Sequence, residues 1–238
     1  MSLARGLAIY CNGVSLPLTD YSISAEAEEL ETTHLGLTNR TFVTGFMNGT
    51  LDITGIWDYD STNLDEIHNI LSAAIISRGE NVVTISLGSF ANGTPAFLLN
   101  SIENSNNMNA DNGALIIMDA SFRATTGINF GKAFFNAEVD TTTTNGTSID
   151  NAAATANGGF FQIHYQNGAG TEDLTAKVQH STDNSVWVDL GTITLSNLTG
   201  FGASSLEIAA ATTVHRYARA QIAVAQGALN VQAAFARR

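Results

Sequence analysis

The sequence predicts a mainly β protein with one α-helix, and three observations support this class. Several segments alternate apolar and polar residues, Asn-Gly occurs seven times, and one stretch has helical periodicity. A period of two gives a strand one apolar and one polar face. Asn-Gly between such segments favours tight hairpin turns, because both residues tolerate positive φ. The chain should therefore fold into antiparallel sheets joined by short turns.

Four segments of the first half alternate as strands, within 21–28, 50–54, 83–87 and 117–124. Each pairs an apolar face with a face of short polar or charged side chains, which predicts a sheet with one solvated side. The polar positions are Ser22, Ser24, Glu26, Glu28, Thr50, Asp52, Thr54, Thr84, Ser86, Asp119, Ser121 and Arg123.

The segment 62–78 breaks this alternation. Leu64, Ile67 and Leu71 recur at helical spacing, which predicts an amphipathic helix of about four turns. Thr62 begins a capping box, and Gly79 follows as a C-terminal stop. The helix is expected to cover the apolar side of the sheet.

Two further segments carry no period. Residues 31–47 separate two good strands, and loops of that length in compact domains are usually functional or disordered. After Lys132 the composition becomes small and polar, and strands without a helix resume beyond it. The sequence thus predicts one domain over 1–132 and a second, all-β sandwich over 133–238.

Composition excludes several functions. The 238 residues carry a formal net charge of −12, with only 13% charged residues. This balance argues against binding nucleic acid through its phosphates and against an anionic membrane surface. The single cysteine, Cys11, allows neither an intramolecular disulfide nor a zinc cluster. No apolar run is long enough for a membrane helix, and the N-terminal residues are a poor signal peptide, so we expect a soluble protein made in a reducing cytoplasm.

The chain offers no recognisable catalytic motif. The five histidines contain no H-x-x-x-H pair, and His164 and His180 are expected to be packed or surface residues on neighbouring strands. The acidic segment 58–66 supplies oxygen ligands that could suit calcium, but it lacks the spacing and the glycine of an EF-hand loop. The sequence therefore predicts no enzyme, no cofactor and no metal site.

The stretch "AEELETTHLGLTNRTFVTGFMNGTLDITGIWD" resembles the core signature of siphovirus tail-tube proteins, also called major tail proteins. An acidic stretch ends in Thr32-Thr33, an aromatic-x-x-Gly turn follows at 42–45, and a Gly-Thr turn at 49–50 leads into a strand that ends at Gly55. The resemblance covers about residues 3–130. The segments "KVQHSTDNSVWVDL" and "HRYARAQIAV" resemble jelly-roll modules that decorate phage tails.

The resemblance implies a tail-tube β-sandwich or barrel with one covering helix, followed by an outer jelly-roll-like domain. It implies hexameric rings that stack into a tube, a lumen lined by the polar positions above, and DNA that passes without specific binding. The segment 31–47 would reach a neighbouring ring through Leu35, Phe42 and Phe46. Implied partners are copies of the same chain, a tail terminator, a tape measure and a distal tail protein, with assembly into the virion after synthesis in the bacterial cytoplasm. Contractile and gene-transfer particles use related tubes.

A second function class stays open at this point. A β-sandwich can also serve a carbohydrate-binding or adhesive surface protein, which would need aromatic side chains in a sugar pocket. Trp187, Tyr165 and Tyr217 are the candidates, although each also suits a core. A chain that ends near Lys132 would show whether the second domain is needed for assembly, because the tube domain alone is expected to assemble.

Overall fold

The computed structural model describes residues 8–16, 18–31, 42–56, 76, 79–109 and 116–238. These residues are mainly β, as predicted. The paired strands are antiparallel, and their bounds are β1 (Ala8–Cys11), β2 (Val14–Ser15), β3 (Leu18–Glu31), β4 (Phe42–Ile56), β5 (Asn81–Ser86), β6 (Pro95–Asn109), β7 (Ile117–Ala124), β8 (Asn129–Val139), β9 (Thr143–Asn145), β10 (Ile149–Asp150), β11 (Gly159–Ser181), β12 (Val188–Ile208), β13 (Tyr217–Ala225) and β14 (Leu229–Arg237).

The predicted helix over 62–78 lies outside the described residues, apart from Ile76. No helix in the part of the chain that the structure describes could cross a bilayer.

The described residues form two compact units. The first takes its residues from 1–17, 81–99 and 129–238, and the second takes its residues from 18–80 and 100–128. This division differs from the predicted boundary after Lys132, which falls inside β8. The physical reason is long-range pairing, because residues 132–139 of β8 pair with β14 at the far end of the chain.

The first unit is organised around β11, the longest strand. Its first half pairs with β14 and its second half pairs with β13, while β12 runs along its other edge. Three aromatic rings pack edge to face in the core, with centroid separations of 5.6 Å for Phe134–Phe235 and 6.5 Å for Phe161–Phe235. The jelly-roll arrangement stays a prediction for this unit.

Asn-Gly makes a turn in one place and a strand irregularity in another. Asn12 and Gly13 form the two-residue loop between β1 and β2, with φ of 49° and 93°, as the sequence predicts. Asn167 and Gly168 instead lie within β11, where Asn167 has φ of 69° and the register with β12 shifts. The same dipeptide therefore accommodates a β-bulge when the strand continues on both sides.

The second unit is a sheet in the order β3–β4–β7–β6. Leu51 and Ile53 of β4 and Phe122 of β7 have at most 3% of their surface exposed and share one face. Full burial of such side chains stabilises the fold by roughly 1.5–3 kcal/mol each. The sheet thus has an apolar face and, one residue out of phase, a polar one.

Candidate functional site

The polar face of the second unit is assembled by strand register. Ser22, Asp52 and Ser121 form one cross-strand row, and Ser24, Thr50 and Arg123 form the next. Thr54 and Asp119 are opposite each other in a third row. We call these eight residues the hydroxyl–acid face: Ser22, Ser24, Thr50, Asp52, Thr54, Asp119, Ser121 and Arg123. The structure places all eight on one exposed or half-exposed side, as the alternation predicted.

Hydroxyl groups hold the carboxylates of this face. Ser121 Oγ donates to Asp52 Oδ1 over 2.5 Å, and Thr54 Oγ1 donates to Asp119 Oδ1 over 2.7 Å. Asn109 Nδ2 donates to the other oxygen of Asp119 over 3.2 Å. Both acids are therefore held in orientation by neutral hydrogen-bond donors.

Arg123 is the single base among these eight residues. Its Nη2 donates to Asn48 Oδ1 over 3.4 Å, so its hydrogen-bond partner is a neutral amide. The face as a whole is hydroxyl-rich and acidic.

Strand β6 adds polar residues that the sequence did not assign. A register shift between Glu103 and Ser105 places Ser105 opposite Ser121 and Asn107 opposite Asp119, on the polar side. The same shift places Glu103 opposite Phe122, on the apolar side. Glu103 is 9% exposed, and burial raises its pKa to about 8 because the charged form is poorly solvated there. The sequence could not show which of residues 103–107 lie on the polar side of the sheet and which on the apolar side, because this run contains no apolar residue.

Thr84 and Ser86 do not belong to the polar face, contrary to the prediction. Both side chains are completely buried in the first unit, where β5 is covered on both sides. Ser86 Oγ lies 3.0 Å from Thr94 Oγ1. Short hydroxyl side chains fit a buried strand when they find hydrogen-bond partners, so their polarity alone did not indicate exposure.

Thr84 belongs to a buried hydrogen-bond chain. Gly13 N–H donates to His164 Nδ1 over 3.1 Å, which leaves the ring proton on Nε2 to donate to Thr84 Oγ1 over 2.9 Å. Thr84 donates in turn to Gln162 Oε1 over 2.8 Å, and Gln162 Nε2 donates to the Leu99 carbonyl over 3.0 Å. Burial lowers the pKa of His164 to about 3, so the ring is neutral. His164 therefore has a packed role, as predicted.

The expectation that His164 and His180 sit on neighbouring strands is wrong, because both lie on β11. His180 instead stacks on His215, with ring centroids 4.3 Å apart. The described residues contain no group of three or more His, Cys, Asp or Glu side chains placed to hold a metal ion.

The segment predicted to be irregular is partly β. Phe42 pairs with Glu31 and Met47 with Ala27, so residues 42–47 extend β4 alongside β3. Residues 32–41, with Leu35, lie outside the described residues, as do the side chains of Phe42 and Phe46. The sequence of 42–48, FVTGFMN, does not alternate apolar and polar residues, which is the pattern by which strands are recognised.

We call residues 26–31 and 42–48 the ribbon. Within the described strands, β7 pairs with β4 only from Thr50 to Ile56, so the ribbon has two strands and no neighbour on either edge. Its described side chains are exposed, including those of Glu26, Ala27, Glu28 and Glu29. The ribbon is thus an acidic, solvent-exposed extension of the second unit.

No protein-family model and no curated protein matches the chain. Among solved structures, a chain of the virion of a native gene transfer agent particle is similar over 55% of this chain and 98% of its own, with 12% identity and a TM-score of 0.44. The SPP1 tail tube is similar over 54% of this chain and 78% of its own, with 7% identity and a TM-score of 0.43. The SPP1 Dit protein, described as a paradigm of hub adsorption apparatus in phages that infect Gram-positive bacteria, is similar over 97% and 99%, with 10% identity and a TM-score of 0.38. The similar structures thus come from phage tails and a related particle, the class of proteins that the sequence resembles.

Proposed function

We propose that this chain is a structural, non-catalytic subunit of a bacteriophage tail tube, assembling as stacked hexameric rings around a lumen that conducts DNA during ejection. The partners are other copies of the chain, together with the tail terminator, tape measure and distal tail proteins that the sequence resemblance implies. The location is the virion. The ribbon is the observation that carries this proposal.

An isolated two-stranded hairpin is marginally stable in water. The ribbon has two paired strands, and its described side chains, those of 26–29, 31 and 48, are exposed, so they gain little from their own unit. Burial against a neighbouring subunit would supply the missing stabilisation. The contact proposed for 31–47 is therefore made by the ribbon and its connecting segment, with Leu35, Phe42 and Phe46 as the proposed apolar anchors.

The edge of the second unit also favours assembly. Within the described strands β3 pairs with β4 alone, which leaves one edge of a 14-residue strand unpaired. Such an edge invites pairing with another chain, and closure into a ring removes it. The acidic residues Glu26, Glu28 and Glu29 along this strand discourage uncontrolled association.

The hydroxyl–acid face has the chemistry of a channel wall for DNA. Duplex DNA carries one charge per ~1.7 Å, and a lysine-rich wall would hold it by releasing counterions. Asp52 and Asp119 repel phosphate, and the surrounding hydroxyls present no fixed positive charge. Repulsion acts over about 8 Å at physiological salt, so a narrow lumen keeps the duplex away from the wall.

Negative-stain microscopy of the purified chain tests the proposal. We expect rings or tubes from the wild type, and a folded protein without rings from Phe42→Ser/Phe46→Ser. Val186→Ser/Val188→Ser is the matched control, since it removes two apolar side chains that are 68% and 55% exposed on the first unit. Normal tubes from the Phe42/Phe46 variant would show that these two side chains do not form the subunit contact. A wild type that stays monomeric at every concentration would overturn the proposal.

A further inference from the structure

The second half of β8 has a free edge in the first unit. The first residues of β8 pair with β6, and Ala133 exchanges backbone hydrogen bonds with residues 93–94, at 2.8 and 2.9 Å. Beyond that point, within the described strands, residues 135–139 pair with β14 alone. Asn136 and Ala137 point to opposite sides of β8, and both are exposed. This stretch of β8 therefore has one unoccupied backbone edge.

A cavity of about 290 Å³ lies along this edge. Its lining comes from residues 90–92, 134–137 and 144–147, none of which is charged. Phe134 and Phe135 are only 2% and 5% exposed, so the surface that the cavity offers is mostly backbone, alanine, amide and hydroxyl. We call this cavity and the edge of 135–139 the β8 slot. An extended backbone with small side chains fits such a slot better than a bulky ring does.

The N-terminal segment, residues 1–7, adjoins this region. It lies outside the described residues, and β1 begins directly after it at Ala8. Because β1 is antiparallel to β5, Ala8 lies opposite Ser86, where β5 ends. The chain then passes from β5 into the loop with Phe90, whose ring centroid is 5.3 Å from that of Tyr10. Seven extended residues span about 23–25 Å, which is enough to pass this loop and follow five residues of β8.

The sequence of this segment, MSLARGL, suits the β8 slot. Small and larger residues alternate, so an extended conformation separates them onto two sides. The small side carries Ser2, Ala4 and Gly6, and the other side from residue 3 onward carries Leu3, Arg5 and Leu7. With the small side against the cavity, the single charge of Arg5 faces solvent. No charge then enters a slot whose lining is uncharged.

We propose that residues 1–7 occupy the β8 slot as an added strand and close the free edge of β8. The segment runs antiparallel to β8, because its last residue enters beside the loop with Phe90 and its first residue lies farther along the edge. Backbone pairing along a free edge is the usual way in which an extended peptide joins a sheet. An open edge invites association with other chains, so the segment protects the first unit from it. This role goes beyond the tube function and does not depend on ring assembly.

The tether favours this occupant over a strand from another molecule. A segment joined to its site by a few residues is present there at an effective concentration in the millimolar range. A second copy or a foreign peptide competes only in proportion to its own concentration. Occupancy of the β8 slot by residues 1–7 should therefore be independent of protein concentration.

Hydrogen exchange of the full chain, followed by mass spectrometry, tests the assignment. In the wild type, the amides of 135–139 that do not face β14 should be protected. Ala4→Pro/Arg5→Pro should speed their exchange by about 10-fold or more, since two consecutive prolines remove N–H groups on both edges of the segment. Ala4→Ser/Arg5→Lys is the matched control, because it keeps the N–H groups and the charge, and its exchange should stay within about twofold of wild type.

Exchange in residues 188–195 of β12 is the internal reference and should be equal in all three proteins, which separates release of the segment from a general loss of stability. Unprotected amides in 135–139 of the wild type, or equal exchange there in the wild type and the proline variant, would overturn the proposal. Protection that disappears on dilution would also overturn it, because another copy would then supply the strand. The dilution series uses the wild type alone, so it decides the question even if the proline variant misfolds.

Discussion

Ser121 and Asp52 face each other across the β4–β7 pair, and the serine hydroxyl donates to the carboxylate over 2.5 Å. Their chain neighbours Phe122 and Leu51 form the opposing pair on the buried side. One register thus fixes both faces of the sheet, so a change of charge on the exposed side leaves the core packing intact.

Reversing charge on the hydroxyl–acid face should slow DNA ejection without preventing assembly. In Asp52→Lys/Asp119→Lys, two acids of this face become bases that bind phosphate, most strongly at low salt. Ejection rates measured from particles across a salt series should fall, and the effect should shrink as salt rises. Glu138→Lys/Asp140→Lys makes the same change of charge at two exposed positions of the first unit and should eject at the wild-type rate. Equal rates for both variants at every salt concentration would show that the face does not meet DNA.

Thr84→Val should destabilise the fold by about 1–3 kcal/mol, because it removes the buried hydroxyl that donates to Gln162 Oε1 and accepts from the His164 ring. Urea unfolding of the purified protein measures this difference. Thr192→Val, at an exposed position of β12, is the matched control and should stay within about 0.5 kcal/mol of wild type. Equal losses for the two variants would mean that the buried chain contributes nothing beyond the cost of the substitution.

Because Glu103 is buried, we expect the free energy of unfolding to fall as pH rises. Its pKa in the folded protein is about 8, above the ordinary value of 4.5. Between these values the folded protein keeps the proton while the unfolded chain releases it, so the free energy of unfolding falls as pH rises. Glu103→Gln cannot ionise, and its melting temperature relative to wild type should therefore increase from pH 5 to pH 8. Parallel melting curves over that range would contradict the assignment of a buried, protonated carboxyl group.

A chain that ends after Lys132 should fail to fold cooperatively, contrary to the expectation from the sequence. The truncation removes β14 and β11, and with them Phe160 and Ala234, against which the buried Phe90 and Leu98 pack. Circular dichroism and thermal melting of the fragment would show this directly. A cooperative melting transition from a monomeric fragment would demonstrate that 1–132 is an independent domain.

The sequence predicted both faces correctly on β4 and β7, where one side of the strand is solvated. There the polar residues alternate with buried ones, and the period of two reports the faces directly. On β3 the described side chains are exposed or half-exposed. The same logic failed on β5, because both sides of that strand are buried and Thr84 and Ser86 satisfy their hydroxyls internally. Short polar side chains give the same pattern in both situations.

The remaining differences come from long-range pairing, which local patterns do not contain. β8 crosses the predicted domain boundary because its partner β14 lies about a hundred residues later in the chain. The strand in 42–48 was missed because its sequence does not alternate apolar and polar residues, and its pairing with β3 is not a local pattern.

A cryo-EM reconstruction of the assembled wild-type chain tests the central claim most directly. The account predicts stacked rings in which Asp52 and Ser121 face the lumen, the edge of β3 pairs with an adjacent subunit, and the ribbon lies against a neighbouring copy. The account would be contradicted by rings in which Leu51 and Ile53, on the opposite side of β4, face the channel. It would also be contradicted by a ribbon that is surrounded by solvent in the assembly.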